Sequence, residues 1–311
     1  MRRVEYNSIG GPEVLEVVEA ENPHPGPGEV RVRVRAAGLN PLDAKLFRGA
    51  PTSSGSKPTF PSGNGHDFAG DIDELGAGVS ARELGDGVTG WALGDAVYGQ
   101  VPSRAQADFV VVAADKLSRK PADLPYEVAG SLSVAGRTAY NSVTSLALGP
   151  DDTVFVSAAA GGVGALAAQL ALRTGAKVIG SASPANHDYL RSLGVVPVAY
   201  GDGLVDALKG AHITAALDNH GRESVDAALA AGAPAGRVNS IADYAAAKEY
   251  GTTAVGGREF NRAGLDGVAN LIAAGELQFP IESVFALETV SEAYARLLGS
   301  HGPGKIVLAL D

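Results

Sequence analysis

The sequence predicts an α/β fold in which a β-rich opening is followed by a doubly wound parallel sheet. Three observations predict it. Up to about Lys120, short apolar or alternating runs are punctuated by Gly and Pro, with few long helical patterns. From Tyr126 onward, helical stretches alternate with short apolar strands, the spacing of a parallel sheet with crossover helices. The chain has 311 residues, 45% of them hydrophobic, enough for two domains with their own cores.

Met1 to Ile9 alternates like a strand and carries Arg2 and Arg3 without the apolar stretch of a signal peptide. Strands are expected at Val14–Val18 and Val30–Val34, on either side of a Pro/Gly turn from Asn22 to Gly28, then at Ala69–Leu75, Ala96–Tyr98 and Ala107–Val112. Leu84-Gly85-Asp86-Gly87-Val88-Thr89-Gly90 is nearly repeated as Leu93-Gly94-Asp95-Ala96-Val97-Tyr98-Gly99. This is either a small duplication lengthening a surface loop or chance in a Gly-rich chain. The second part shows strands at Thr153–Ser157, Lys177–Ser181, Pro197–Tyr200, Ile213–Asp218, Arg237–Ile241 and Thr252–Val255. Its helices include Val163–Thr174, His187–Leu193 and Ser224–Ala231. From Gly264 the pattern is a helix, a strand at Val284–Ala286, a helix through Tyr294 and a last strand at Lys305–Leu310.

Composition narrows the function. The formal net charge of −10 gives no basic patch for nucleic acid. No apolar run of about 18 residues exists, so no membrane helix is expected. There are no cysteines, which excludes disulfides, thiolate catalysis and Cys-ligated zinc.

The sharpest motif is Ala158-Ala159-Ala160-Gly161-Gly162-Val163-Gly164, placed after a strand and opening a helix. Apolar residues at Val163, Leu166, Ala167, Leu170 and Ala171 put one helix face on a sheet, and Gly175 marks its end. A pyrophosphate needs backbone N–H groups at such a helix N-terminus, and small residues let it approach. Ala160, Gly161, Gly162 and Val163 are therefore cofactor-binding candidates, although Ala159 replaces the first glycine of the usual fingerprint. The alternative is a tight turn without a ligand. The tip of the next strand, Gly180 to His187, holds no carboxylate before Asp188. Ser181, Ser183 and His187 can donate to a 2′-phosphate that a carboxylate would repel, so the expected cofactor is NADPH rather than NADH. The serines can also cap the following helix.

These residues carry a resemblance that extends over nearly the whole chain. Gly10-Gly11-Pro12-Glu13-Val14-Leu15, Pro25-Gly26-Pro27-Gly28-Glu29-Val30 and Ala36-Ala37-Gly38-Leu39-Asn40-Pro41-Leu42-Asp43 resemble zeta-crystallin-like quinone oxidoreductases of the medium-chain dehydrogenase/reductase superfamily. So do Gly65-His66-Asp67-Phe68-Ala69-Gly70, Val134-Ala135-Gly136-Arg137-Thr138-Ala139-Tyr140, the glycine turn and Gly304-Lys305-Ile306-Val307-Leu308. The resemblance implies a GroES-like catalytic domain of residues 1–122 and 275–311, and an inserted Rossmann NADP-binding domain of residues 123–274, with the active site in the cleft. Zinc alcohol dehydrogenases of the superfamily have a cysteine where Asn40 stands and Gly-His-Glu where Gly65-His66-Asp67 stands. His66 is accordingly expected to be structural, and no metal is expected.

Without a Lewis acid, the resemblance implies NADPH-dependent hydride transfer to a quinone or an α,β-unsaturated carbonyl, whose oxygen gathers charge. The catalytic candidates are Asn40, Lys45 and Thr138. Asn40 either places an amide near nicotinamide and substrate or is a turn residue before Pro41. Lys45, where many relatives carry tyrosine, either donates to the developing oxyanion or is a solvated surface lysine. Thr138 matches a family segment lining the nicotinamide ribose, while Tyr140 is read as packing. Tyr200 and His187 resemble family positions that hold the adenosine phosphate. Asp218, Asn219, Ser240, Ile241 and Gly256 end sheet strands, where open α/β sheets bind ligands. Phe47 to Pro61 and Asn239 to Arg262 are expected to line the substrate pocket. The chain is expected to be a cytoplasmic homodimer. Two other readings stand beside this one: a non-catalytic NADPH-binding sensor or structural protein, and a tailoring reductase acting on a secondary metabolite.

Overall fold

The computed structural model describes residues 1–50, 58–80, 90–257, 259–299 and 302–310. The first copy of the near-repeat, up to Thr89, lies outside them, as do residues 51–57 and 258 of the expected pocket-lining segments. The chain divides into two compact units, Met1–Val134 with Ile281–His301 and Lys305–Asp311, and Ala135–Pro280 with Gly302–Gly304.

The first unit opens with β1 (Arg2–Tyr6), β2 (Glu16–Glu19), β3 (Glu29–Gly38), α1 (Pro41–Phe47), β4 (Ser62–Gly63), β5 (Asp67–Leu75), β6 (Ala96–Gln100), β7 (Phe109–Ala113), β8 (Ser118–Arg119) and α2 (Tyr126–Ala129). The expected strand at Val14–Val18 begins later, because Pro12–Val14 form a 3-10 turn that Pro12 initiates. Helix α3 (Ser133–Ser145) carries the chain into the second unit. There follow β9 (Thr153–Val156), α4 (Gly162–Arg173), β10 (Lys177–Ser181), α5 (His187–Ser192), β11 (Val196–Val198), α6 (Leu204–Leu208), β12 (Ala215–Asp218), α7 (Arg222–Ala230), β13 (Val238–Ser240), α8 (Tyr244–Tyr250) and α9 (Arg262–Ala273). The chain returns to the first unit with β14 (Ile281–Ala286), α10 (Val290–Leu298) and β15 (Lys305–Ala309). The first crossing falls later than the composition change suggests, because α2 packs on β3 and β5.

In the first unit β3 organises the larger sheet. It pairs antiparallel with β15, β5 and β7, while β14 runs parallel to β15 at the edge. Its alternation is the cause: Val30, Val32 and Val34 are buried, while Arg31 and Arg35 reach Asp73 and Asp71 at 2.9 Å. Past a bulge near Ala36 both faces are buried. The apolar core gathers Val30, Phe68, Ile72, Val97 and Leu308.

The second unit is an all-parallel sheet in the order β11-β10-β9-β12-β13. Counted along the chain this is 3-2-1-4-5, so the strand order reverses between β9 and β12, the switch point where such sheets open a ligand crevice. The sixth strand expected at Thr252–Val255 is not formed. That segment makes a single bridge, Asn239 to Thr253, and the Asn239 side chain then takes the ladder's place: its Oδ1 accepts from Thr253 Oγ1 at 3.0 Å and Val255 N–H at 2.7 Å. Among the described residues, no helix is long and apolar enough to cross a membrane.

Candidate active site

The glycine turn lies at the carboxyl end of β9. Gly161 is extended and α4 starts without a side-chain cap; the first intrahelical bond runs from Ala165 N–H to Gly161 O at 2.9 Å. Helix geometry therefore leaves the amides of Gly162, Val163 and Gly164 without intrahelical acceptors, at the positive end of the dipole. The amide of Gly161, expected to face a phosphate, instead donates to Ala158 O at 3.0 Å. That bond closes a turn in which Ala158 has φ +48°, a conformation few non-glycine residues adopt. Two glycines are sterically required. A Cβ on Gly164 would sit 2.2 Å from Ala158 O, and one on Gly180 would sit 2.7 Å from Ala159 Cβ. The turn is thus pressed between helix and β10, and Ala159 N–H donates to Ser181 O at 2.9 Å. Ala160 O accepts from Gly304 N–H at 3.2 Å.

At the tip of β10, Ser181 is 2% exposed, while Ser183 and His187 are half-buried and accessible. His187 Nε2 lies 3.3 Å from Ala182 O. The capping alternative for the serines is not what the structure shows, since neither the 3-10 turn after Ser183 nor α5 has a side-chain cap bond. Tyr200 is exposed beyond β11 and stacks on His220.

Asp218 faces inward. Its carboxylate accepts from Ser157 Oγ at 2.8 Å, Ser240 Oγ at 2.6 Å, and the amides of His220 and Gly221 at 3.0 Å each. Asn219 completes the hub: its amide N–H donates to Ser157 Oγ at 2.8 Å and its Nδ2 to Ser157 O at 3.0 Å. Asp218, Asn219 and Ser240, expected as cofactor contacts, thus join the ends of β9, β12 and β13 to one another. The reason is that three parallel strands converge there with short polar side chains pointing sideways, and a buried carboxylate must collect donors.

Thr138, Ile241 and Gly256 come together. A Cβ on Gly256 would lie 3.1 Å from Ile241 Cγ2 and 3.7 Å from Thr138 Cγ2, and one on Gly257 would lie 2.8 Å from Thr138 Oγ1. Helix α3 holds this segment, with Asn141 Nδ2 donating to Gly256 O and Ser142 Oγ to Val255 O, both at 3.0 Å. Tyr140 packs against Gly264, as expected.

The first unit has a buried polar network of its own around Asn40. Pro41 sets the first turn of α1, and Asn40 N–H donates to Asp43 Oδ2 at 2.8 Å. Asn40 Nδ2 donates to Asp67 Oδ2 at 3.0 Å, and its Oδ1 accepts from Lys305 Nζ at 2.6 Å; Lys305 also donates to Leu39 O at 2.6 Å. Asp67 Oδ1 accepts from Val134 N–H at 2.8 Å. His66 Nδ1 sits 2.5 Å from Asp43 Oδ1. The Tyr294 hydroxyl accepts from Asn64 Nδ2 at 2.9 Å and Gln106 Nε2 at 2.8 Å. Burial raises Asp67 above the ordinary aspartate value, against the pull of Lys305 and the Asn40 bond. Burial likewise lowers Lys305, against Asp67 and Asp43, and holds the Tyr294 phenol well above its ordinary value. Asn40 therefore spends its amide on Asp67 and Lys305 rather than leaving both ends to a ligand. Lys45 is on the exposed side of α1. Lys305, Asp43, Asn64, Gln106 and Tyr294 are the members that sequence reading misses; the one available signal is an isolated lysine opening an otherwise apolar strand. Among the described residues, no group of three or more His, Asp or Glu side chains is arranged to hold a metal.

Comparisons with known proteins agree with this architecture. The family "Alcohol dehydrogenase GroES-like domain" matches residues 26–122, and the family "Zinc-binding dehydrogenase" matches residues 193–308. Quinone oxidoreductase 1 of Escherichia coli (strain K12) is 32% identical over 59% of this chain and 53% of its own length. The chain thus spans about half the length of this curated relative. The solved structure of the quinone oxidoreductase from Coxiella burnetii superposes with a TM-score of 0.87 at 28% identity, covering 100% of this chain and 99% of that one. A solved NAD-dependent alcohol dehydrogenase superposes with a TM-score of 0.85 at 27% identity, covering 100% of both chains. A GroES-like β unit and a Rossmann-type unit, carrying the matched motifs in order, place this chain in the medium-chain dehydrogenase/reductase superfamily, where it is similar to quinone oxidoreductases.

Proposed function

We propose that the chain is an NADPH-dependent, zinc-independent oxidoreductase that reduces a quinone or another conjugated carbonyl acceptor such as an enone. The observation that carries the reading is the turn before α4, where Gly164 and Gly180 admit no side chain and three amides precede the first intrahelical bond. This is a cradle for a pyrophosphate. NADPH bound there supplies the hydride.

The chain's own residues do the rest. The amides of Gly162, Val163 and Gly164 hold the pyrophosphate. Ser183 and His187, with no carboxylate in the described loop before Asp188, suit a 2′-phosphate. Thr138, Ile241 and Gly256 line the nicotinamide side. Asp218 acts as a positioning residue that fixes the strand ends carrying these groups. Lys45 is the candidate donor to the acceptor oxygen as charge develops. Asn40 is a positioning residue within the buried network. Zinc independence is supported by the donor set: the chain has no cysteine, and Lys305 already places an ammonium on Asn40 Oδ1. Names of relatives at about this identity, quinone oxidoreductases among them, support the acceptor class. The same reading extends to a cytoplasmic homodimer.

The test is oxidation of NADPH and NADH at 340 nm against 1,4-benzoquinone, 9,10-phenanthrenequinone and a simple enone, with about 1 mM EDTA present to strip a labile metal. NADPH-preferring turnover that survives the chelator is expected. Tight NADPH binding without turnover would replace this reading with a non-catalytic nucleotide-binding role.

A further inference from the structure

Tyr200 lies just past the carboxyl end of β11 and His220 just past that of β12. In the sheet, β10 and β9 stand between those strands. Three inter-strand steps of about 4.8 Å separate β11 from β12 by about 14 Å. Yet the two ring centroids are 6.4 Å apart, with planes inclined by only 22°. The two segments therefore bring their rings together on the carboxyl side of the sheet, where β10 and β9 also end.

The pair is held from behind. His220 N–H donates to Asp218 Oδ1 at 3.0 Å, and Gly201 N–H, next to Tyr200, donates to Glu223 Oε1 at 2.9 Å. Both loops are thus fixed to β12 and α7, while the rings themselves remain exposed, Tyr200 by 58%. A flat pair of exposed, nearly parallel rings offers π-faces to a planar heterocycle. It is poorly suited to a phosphate group, because the Glu223 carboxylate stands against the same loop.

We infer that His220, paired with Tyr200, is a further cofactor-binding residue that stacks the adenine base. The inference rests on the nucleotide reading above and deepens it: it assigns the base-recognition surface to an aromatic pair bridging two non-adjacent strands. His220 was not among the residues expected from sequence.

The test uses the full chain with two probes in calorimetry, ADP-ribose, which carries the adenosine half, and reduced nicotinamide mononucleotide, which lacks it. His220→Ala is expected to weaken ADP-ribose binding at least about fivefold, as loss of a base-stacking face does. His220→Phe, which keeps the flat face, is expected to restore wild-type affinity. Mononucleotide affinity is expected to stay the same in both variants. Wild-type affinity for ADP-ribose in His220→Ala would overturn the inference while leaving the nucleotide reading intact. Failure of His220→Phe to recover would overturn it too, because the imidazole's polar atoms rather than its face would then matter. A matching loss of mononucleotide affinity would overturn it by showing general damage. A wild-type protein that binds neither ADP-ribose nor NADPH would sink both readings together.

Discussion

Two buried aspartates, one in each unit, meet the same requirement by different means. Asp67 in β5 is fully buried and accepts from the Asn40 amide and the Val134 N–H, with the Lys305 ammonium nearby balancing its charge. Asp218 at the end of β12 is 2% exposed and draws on four neutral donors, two serine hydroxyls and two backbone amides. The neutral donors all belong to the strand ends or the loop that follows, so the sheet itself sets their geometry. The cation comes on a long side chain from β15, at the far end of the sequence, and fastens that strand to the Asn40 turn. At Asp67 a charge helps join distant segments, and at Asp218 dipoles fix neighbouring strand ends to one another.

The largest effect expected from breaking this contrast is at Lys305. Lys305→Met leaves a buried carboxylate without its balancing charge and should cost about 3–5 kcal/mol of stability in urea unfolding. Adding Asp67→Asn should return much of that loss. A single variant within about 1 kcal/mol of wild type would mean that the charge on Asp67 is not balanced by Lys305.

Gly164→Val attacks the turn in the other unit. Its Cβ would meet Ala158 O at 2.2 Å, so the turn must shift, at about 1–3 kcal/mol in stability. NADPH affinity measured by fluorescence titration should fall by more than the stability change alone explains.

Asp218→Asn turns one acceptor oxygen into a donor and strands part of the hub, with an expected cost of about 1–3 kcal/mol. Cofactor affinity should weaken, whereas an Asp218 that merely touched solvent would yield a silent substitution.

The pH response sharpens the Asp67 side. Its value is raised in the folded state, so between the unfolded and folded values the native protein holds more proton than the unfolded chain. The stability it contributes is present in acid and is lost as pH rises from about 4 upward. Asp67→Asn should remove that component, seen as a flatter unfolding midpoint against pH than wild type. Identical pH profiles would contradict the raised value.

The smallest expected effect is at the β10 tip. Ser183→Asp introduces an accessible carboxylate beside the proposed 2′-phosphate and should lower the NADPH-over-NADH affinity ratio about fivefold or less, as exposed charges do. An unchanged ratio would remove Ser183 from the phosphate site.

Much of the fold was legible before any coordinates. Lys177–Ser181 is a strand with the bounds its pattern suggests, and the helix after the glycine turn differs by one residue at each end. These elements announce themselves locally, through apolar period, glycine stops and the strand–turn–helix order. Thr252–Val255 misled for the same reason. Its β-branched run reads as a strand, but the Asn239 side chain captures its backbone and ends the ladder after one bridge. The sequence marks Asp218 at a strand end and Asn40 before a proline, but the direction of their side chains is not legible in it.

By itself, then, the amino-acid pattern determined the two-part α/β organisation, the glycine turn and the lack of thiolate chemistry, because each depends on neighbours within a few residues or on composition alone. Only the tertiary structure decided which buried polar groups meet. Lys305 bonds Asn40 across 265 positions of sequence, Asp218 gathers Ser157 and Ser240 from two other strands, and Tyr200 stacks on His220, which follows a non-adjacent strand. A buried donor or acceptor must find a partner, and which partner it finds depends on how distant segments are brought together in space.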